Sequence, residues 1–128
     1  MQVVGLEALR ESYPNHELRW QGAVFDVHND GMLDSIEYNF ETEALTLRWV
    51  LKNAARRSAA VQLTVTGVQS LSVTGELQSA QNNDHGLDFI EYRPLSQGQG
   101  ELRFALDVGG VVTVVGRRCE LRTTRGGC

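Results

Sequence analysis

The spacing of apolar side chains changes once along the chain, from a helical period to the two-residue period of a β-strand. The helical part contains Val3, Leu6, Leu9 and Tyr13. Their spacing predicts a short amphipathic N-terminal helix over residues 3–13, which Pro14 ends. Apolar and polar residues alternate from residue 17 onward. This alternation predicts strands at residues 17–27, 34–41, 44–51, 60–66, 69–77, 87–93, 101–108 and 111–121.

One ten-residue pattern occurs twice. The sequence N-D-G-M-L-D-S-I-E-Y at residues 29–38 and the sequence N-D-H-G-L-D-F-I-E-Y at residues 83–92 agree at seven positions. A weaker echo, L-R-W-V-L against L-R-F-A-L, follows the two copies in the same order. Ordered echoes of this kind indicate structurally similar halves, at about residues 24–77 and 80–121, within a single domain of residues 1–128.

The number and spacing of the predicted strands indicate the fold class. Turns rich in Gly, Asn and Ser separate the eight short strands, which favours a mainly β fold, an antiparallel eight-stranded sandwich or barrel-like structure. The segment 111–115 is apolar on both faces, as is typical of a central or covered strand. We expect Leu6 and Leu9 of the N-terminal helix to pack near it.

Cross-strand packing explains the repeated residues without any functional role. A tight turn at Thr42 and Glu43 would pair Phe40 with Leu45, Tyr38 with Leu47, Ile36 with Trp49 and Glu37 with Arg48. The second half would pair Tyr92 with Leu102, Ile90 with Phe104 and Glu91 with Arg103. Aromatic and aliphatic pairs inside, with an opposite-charge pair outside, stabilise a hairpin.

The acidic residues are concentrated in the first copy of the pattern. Six of them lie between Trp20 and Arg48, with no Lys or Arg among them: Asp26, Asp30, Asp34, Glu37, Glu41 and Glu43. With a net charge of −4, such a segment repels nucleic acid and suits a partner protein with a basic surface. Phe89 is expected on the outer face of its strand, as part of a contact surface. The predicted partner-binding residues are Asp30, Asp34, Glu37, Glu41, Glu43 and Phe89.

The turn at residues 26–37 also has the spacing of a calcium-binding EF-hand loop. His28 at its third position is a poor ligand for a hard cation, and strands flank the loop where helices are required. A set formed by Asp26, His28 and Asp30 would suit a transition metal better. The alternative function is therefore a small ligand- or metal-binding protein that uses the Asp/His turns at residues 26–34 and 84–88.

No pattern in the chain predicts catalysis. There is no G-x-S-x-G motif and no P-loop, and Cys119 and Cys128 lie in no catalytic or metal-binding signature. Cys119 is expected to be a small buried hydrophobic residue. The chain shows neither a signal peptide nor an apolar stretch of about 20 residues, so we expect a cytoplasmic protein that acts without a membrane. The leading interpretation is non-enzymatic and requires no cofactor.

The pattern D-G-x-L-D-x-I-E-Y, followed by L-x-L-x-W and later by V-x-L-x-V-x-G-V, resembles small bacterial β-proteins, some of which are immunity proteins that neutralise a cognate toxin. The resemblance covers about residues 24–121 and implies a cytoplasmic binder that acts through an acidic surface. It carries over no catalytic residue. The sequence therefore predicts a protein-interaction module of immunity or regulatory type. Homodimerisation through an exposed strand edge is a third hypothesis.

Overall fold

The computed structural model describes residues 1–5, 15, 17–20, 23–26, 31–51, 59–77 and 86–125. These residues form eleven strands and no helix, which confirms the prediction of a mainly β protein. The strands are β1 (Gln2–Val4), β2 (Glu17–Trp20), β3 (Ala23–Asp26), β4 (Gly31–Asn39), β5 (Ala44–Leu51), β6 (Ala59–Thr66), β7 (Ser70–Thr74), β8 (Leu87–Pro94), β9 (Gly100–Leu106), β10 (Val111–Gly116) and β11 (Arg118–Arg125).

The strands are arranged in two main sheets and one small one. The first sheet has five strands in the order β1-β11-β6-β5-β4, and the second has four in the order β7-β10-β9-β8. Strands β2 and β3 form a separate antiparallel pair. All pairings in the main sheets are antiparallel except that of β1 with β11. Strand β10 has a neighbour on each side, as predicted for the segment 111–115.

The two main sheets share one hydrophobic core. Trp49 on β5 and Phe104 on β9 are both fully buried, and their ring centroids are 6.2 Å apart. The first sheet also contributes Leu33, Leu45, Leu47, Val61, Leu63, Val65, Cys119 and Leu121, and the second contributes Leu87, Ile90, Tyr92, Leu102, Leu106, Val112 and Val114. Burial of these alternating side chains from both sheets is the main stabilising contribution to the fold.

The repeated motif L-D-x-I-E-Y forms the same irregular strand in both sheets. Leu33 and Ile36 are three residues apart, so a regular strand would direct them to opposite faces. The pairing of β4 with β5 skips Asp34, and that of β8 with β9 skips Asp88, so each Asp is the extra residue of a β-bulge. The bulge allows the Leu and the Ile of each copy to face the core. The internal repeat is therefore a structural device.

The first hairpin, β4–β5, differs in register from the prediction. Tyr38 lies opposite Leu45, and Ile36 lies opposite Leu47. The connecting loop has four residues, 40–43, where a two-residue turn was predicted. A two-residue turn favours Gly, Asn or Asp at its centre, which Thr42 and Glu43 do not supply. The predicted register of the second hairpin, β8–β9, is confirmed at all three of its pairs.

The predicted helix at residues 3–13 is wrong at its start. Val3 and Val4 belong to β1, where Val3 lies beside Cys119 of β11 in a parallel pair. The hydrogen bonds offered by the edge of β11 outweigh the weak local preference of a short helix. Gly5, with a φ of 77°, then turns the chain. Residues 6–14, including Leu6 and Leu9, lie outside the described residues.

Two predicted strands are each divided in two. The segment 17–27 contains β2 and β3, and the segment 111–121 contains all of β10 and the start of β11. Between the latter two, the Arg117 N–H donates to the Thr66 carbonyl, with an N–O distance of 3.0 Å. At this turn the chain passes from the second sheet to the first. The buried positions change from even numbers, Val112 and Val114, to odd numbers, Cys119 and Leu121, across this turn, so that both strands face the same core.

Candidate partner-binding site at the tip of the first hairpin

The tip of the first hairpin, residues 37–44, is held in a defined shape by its own hydrogen bonds. The Asn39 Oδ1 atom accepts hydrogen bonds from the backbone N–H of Glu41 at 2.9 Å and of Thr42 at 3.1 Å. This is the local bonding by which Asn favours turns. Glu43 has a φ of 52°, and its carbonyl accepts a hydrogen bond from the Val68 N–H at 3.1 Å. The loop is therefore ordered before any partner binds. We call residues 37–44 the acidic tip.

Phe40 places an exposed aromatic ring at the acidic tip. Its exposed fraction is 86%, against 46% for Val73 and 39% for Leu77, the other exposed large apolar side chains of the described residues. The rings of Phe40 and Tyr38 pack edge to face, with their centroids 4.8 Å apart and an interplanar angle of 87°. Aromatic side chains left in solvent are typical of binding surfaces. Sequence reasoning missed this role because it assigned Phe40 to the core.

Three exposed acidic residues belong to the same hairpin tip as this ring. Glu37, Glu41 and Glu43 form no ion pair within the described part of the chain. Glu37 faces Thr46 across the hairpin instead of the predicted Arg48. The tip therefore carries negative charge that no Lys or Arg of the described residues neutralises.

The side chains of the acidic tip line an open groove of about 750 Å³. The lining residues are Glu37, Tyr38, Asn39, Phe40, Glu41, Thr42, Ala44 and Thr46. Carboxylates and an aromatic face in one groove suit a cationic side chain, above all the planar guanidinium of arginine, which stacks on rings and pairs with carboxylates. The groove does not have the enclosed apolar shape of a small-molecule site.

The structure brings together only part of the predicted binding set. Glu37 and Glu41 line the groove, and Glu43 belongs to the same loop. Asp34 lies at the bulge of β4 and forms an ion pair with Arg48, with 2.6 Å between Oδ2 and Nη1. Phe89 is half-buried on β8 of the second sheet, opposite Ala105, and does not line the groove. Asp30 lies outside the described residues.

The metal hypothesis stays a prediction. Asp26 is on β3, whereas His28 and Asp30 lie outside the described residues, as do Asp84 and His85 of the second Asp/His turn. Within the described ranges, no group of three or more His, Cys, Asp or Glu side chains is arranged to hold a metal ion.

Cys119 is a packing residue, as predicted. Its side chain is fully buried on β11, and burial raises the pKa of its thiol to about 12. A thiol with so high a pKa stays protonated at neutral pH and is a poor nucleophile.

Comparisons with known proteins identify no relative of this chain: no family model, curated protein or solved structure matches it. Over the part of the chain that the structure covers, no helix is long and apolar enough to cross a membrane. The acidic tip is therefore the feature from which a function is inferred.

Proposed function

We propose that this protein is a non-enzymatic interaction module, of immunity or regulatory type, whose acidic tip binds a cytoplasmic partner protein through a basic surface. The observation that carries the proposal is the Phe40 ring, 86% exposed at a hydrogen-bonded hairpin tip with three carboxylates that form no ion pair among the described residues. As part of this proposal, the two sheets would pack as a sandwich around their shared core and so hold the tip rigid. Preorganisation of this kind lowers the entropic cost of binding.

The ring and the carboxylates would contribute differently to binding. An arginine stacked on Phe40 would contribute about 0.5–1 kcal/mol while exposed to solvent and about 2 kcal/mol once desolvated. Glu37, Glu41 and Glu43 would attract a basic partner from a distance, which increases the association rate and selects among partners. Salt screens such charges, so the association rate is expected to fall as ionic strength rises.

An oligoarginine peptide serves as a probe of the acidic tip. In a titration followed by backbone amide NMR, we expect the largest shift changes at residues 37–44. The double variant Glu37→Lys/Glu41→Lys should abolish them, because it replaces attraction by repulsion. Phe40→Ala should weaken binding about 2- to 5-fold, which corresponds to the loss of an exposed cation–π contact.

A matched control separates a local site from overall charge. Asp107→Lys reverses one exposed charge in the turn between β9 and β10. Asp107→Lys should leave the shift changes at residues 37–44 in place. Glu41→Lys, which also reverses one charge but at the acidic tip, should weaken binding more. Shift changes centred elsewhere, or equal losses of affinity in Asp107→Lys and Glu41→Lys, would overturn the proposal.

A further inference from the structure

Strand β7 is the least protected edge of the two main sheets. It lies at the end of the second sheet, and among the described residues its one neighbouring strand is β10. Exposed edges present unpaired N–H and C=O groups, and proteins commonly block them with charges, prolines, bulges or very short strands. The segment 69–75 around β7 contains no charged residue and no proline.

The other edges carry the protection that β7 lacks. Strand β4 has a bulge at Asp34 and a charge at Glu37. Strand β8 has a bulge at Asp88, two further charged residues and a terminal proline. Strand β1 has only three residues. The contrast singles out β7 as an edge open to another strand.

The sequence of β7 matches itself in the antiparallel direction. If two copies are centred on Ser72, Ser70 lies opposite Thr74 of the second copy, and Leu71 lies opposite Val73. Hydroxyl side chains then meet hydroxyl side chains, and apolar side chains meet apolar ones. Both kinds of cross-strand pair stabilise a sheet. This self-matching indicates a second copy of the chain as the occupant of the edge.

The cross-strand pairs of Leu71 with Val73 between the two copies would also bury apolar surface that is exposed at the edge of the core. Val73 lies opposite Val112, and Leu71 lies opposite Val114, both of which are fully buried. Val73 nevertheless remains 46% exposed, and no further strand flanks β7 among the residues that the structure describes. A second β7 would place a Leu71 side chain beside it.

We propose that β7 of one molecule pairs antiparallel with β7 of a second copy, about a two-fold axis at Ser72. This pairing would join the second sheet of one molecule to the second sheet of the other in one continuous sheet. Such an interface is isologous and closed, so association ends at the dimer. A pair of five-residue strands buries less than the roughly 1,200 Å² of a stable interface. The dimer is therefore weak, with a Kd of about 10 μM to 1 mM.

Two cysteine variants test both the pairing and its register. In a Cys128→Ser background, Ser72→Cys places two thiols opposite each other, with Cα atoms about 4.5–5.5 Å apart, within the range of a disulfide. Ser70→Cys is the matched control, because Ser70 is equally exposed but would lie about 14 Å from its own copy. We expect Ser72→Cys to form a disulfide-linked dimer under mild oxidation at least 10-fold faster than Ser70→Cys. Equal rates would overturn the register and the proposal with it.

Sedimentation equilibrium of the unmodified protein provides the second measurement. The mean mass should rise towards twice the monomer mass as the concentration approaches about 1 mM. Ser72→Lys should keep the chain monomeric because two like charges meet on the axis, whereas Ser96→Lys in the exposed loop between β8 and β9 should not. A wild-type chain that stays monomeric, or equal association of the two lysine variants, would contradict the proposal. Far-UV circular dichroism confirms that each variant is folded.

Discussion

The two hairpins that carry the repeated motif are alike where they pack and different where they meet solvent. The first, β4–β5, and the second, β8–β9, each have a bulge at the Asp of L-D-x-I-E-Y. In both, the Leu before the Asp is buried and the Ile two residues after it packs in the core. The loops share neither length nor sequence. The repeated apolar residues pack in or against the core, so a function is to be sought where the repeat ends.

The loop of the second hairpin, residues 95–99, is tied to the rest of the protein. The Gln97 carbonyl accepts a hydrogen bond from Arg117 Nη1 at 3.2 Å, and the Gln99 carbonyl accepts one from the Met1 amino group at 3.4 Å. In the acidic tip of the first hairpin, the side chains of Glu37, Phe40, Glu41 and Glu43 are instead exposed to solvent. The equivalent acidic residues of the two hairpins also differ in their cross-strand neighbours. Glu37 lies opposite Thr46, whereas Glu91, at the same position of the repeated motif, lies opposite Arg103.

The largest expected difference between the hairpins concerns their phenylalanines. Phe104→Ala should reduce the free energy of unfolding by about 3–5 kcal/mol, because it leaves a cavity beside Trp49. Phe40→Ala should change it by no more than about 0.5 kcal/mol, because the ring is 86% exposed. Urea denaturation of both variants measures the contrast. A loss of several kcal/mol in Phe40→Ala would mean that the ring is buried, as in the register predicted from the sequence, and would contradict its exposure.

A pair of single-residue deletions tests the bulge. Deletion of Asp34 leaves Leu33, Ser35 and Ile36 in regular alternation, with both apolar residues still facing the core. Deletion of Glu37 instead turns Ile36 outward and Ser35 inward. The Glu37 deletion should therefore be less stable than the Asp34 deletion by about 1.5–3 kcal/mol, the cost of exposing one large aliphatic side chain. Equal free energies of unfolding of the two deletion variants in urea would show that the bulge does not determine which side chains of β4 face the core.

The smallest expected effect concerns the ion pairs beside the two bulges. The side chains of Arg48 and Asp34 are 41% and 50% exposed, so their coupling in a double-mutant cycle should be only about 0.5 kcal/mol. The Glu91–Arg103 pair, at 3.8 Å, should couple less strongly. Both coupling energies should vanish in about 1 M NaCl. A coupling that persists in salt would mean that packing, not charge, links the two residues.

Part of the fold could be predicted because it depends on local patterns. Alternation located the strands, and the register of the second hairpin followed from matching apolar pairs. The register of the first hairpin could not be obtained in this way, because a shift of two residues leaves every side chain on the same face. A signal was present in Asn39, whose side chain favours a turn directly after it. The L-D-x-I spacing was a second signal, since only a bulge places both apolar residues inside.

Three properties could be read from the residues alone: the chain forms β-strands, one motif occurs twice, and the segment before Arg48 is acidic. These properties follow from the order of residue types along the chain. Three features depend on the packing of the strands. Phe40 is exposed, Asp34 pairs with Arg48 while Glu37 has no ion pair among the described residues, and β7 lies at the edge of its sheet. Each of these depends on which strands become neighbours, and strand neighbours are chosen by the burial of the whole core.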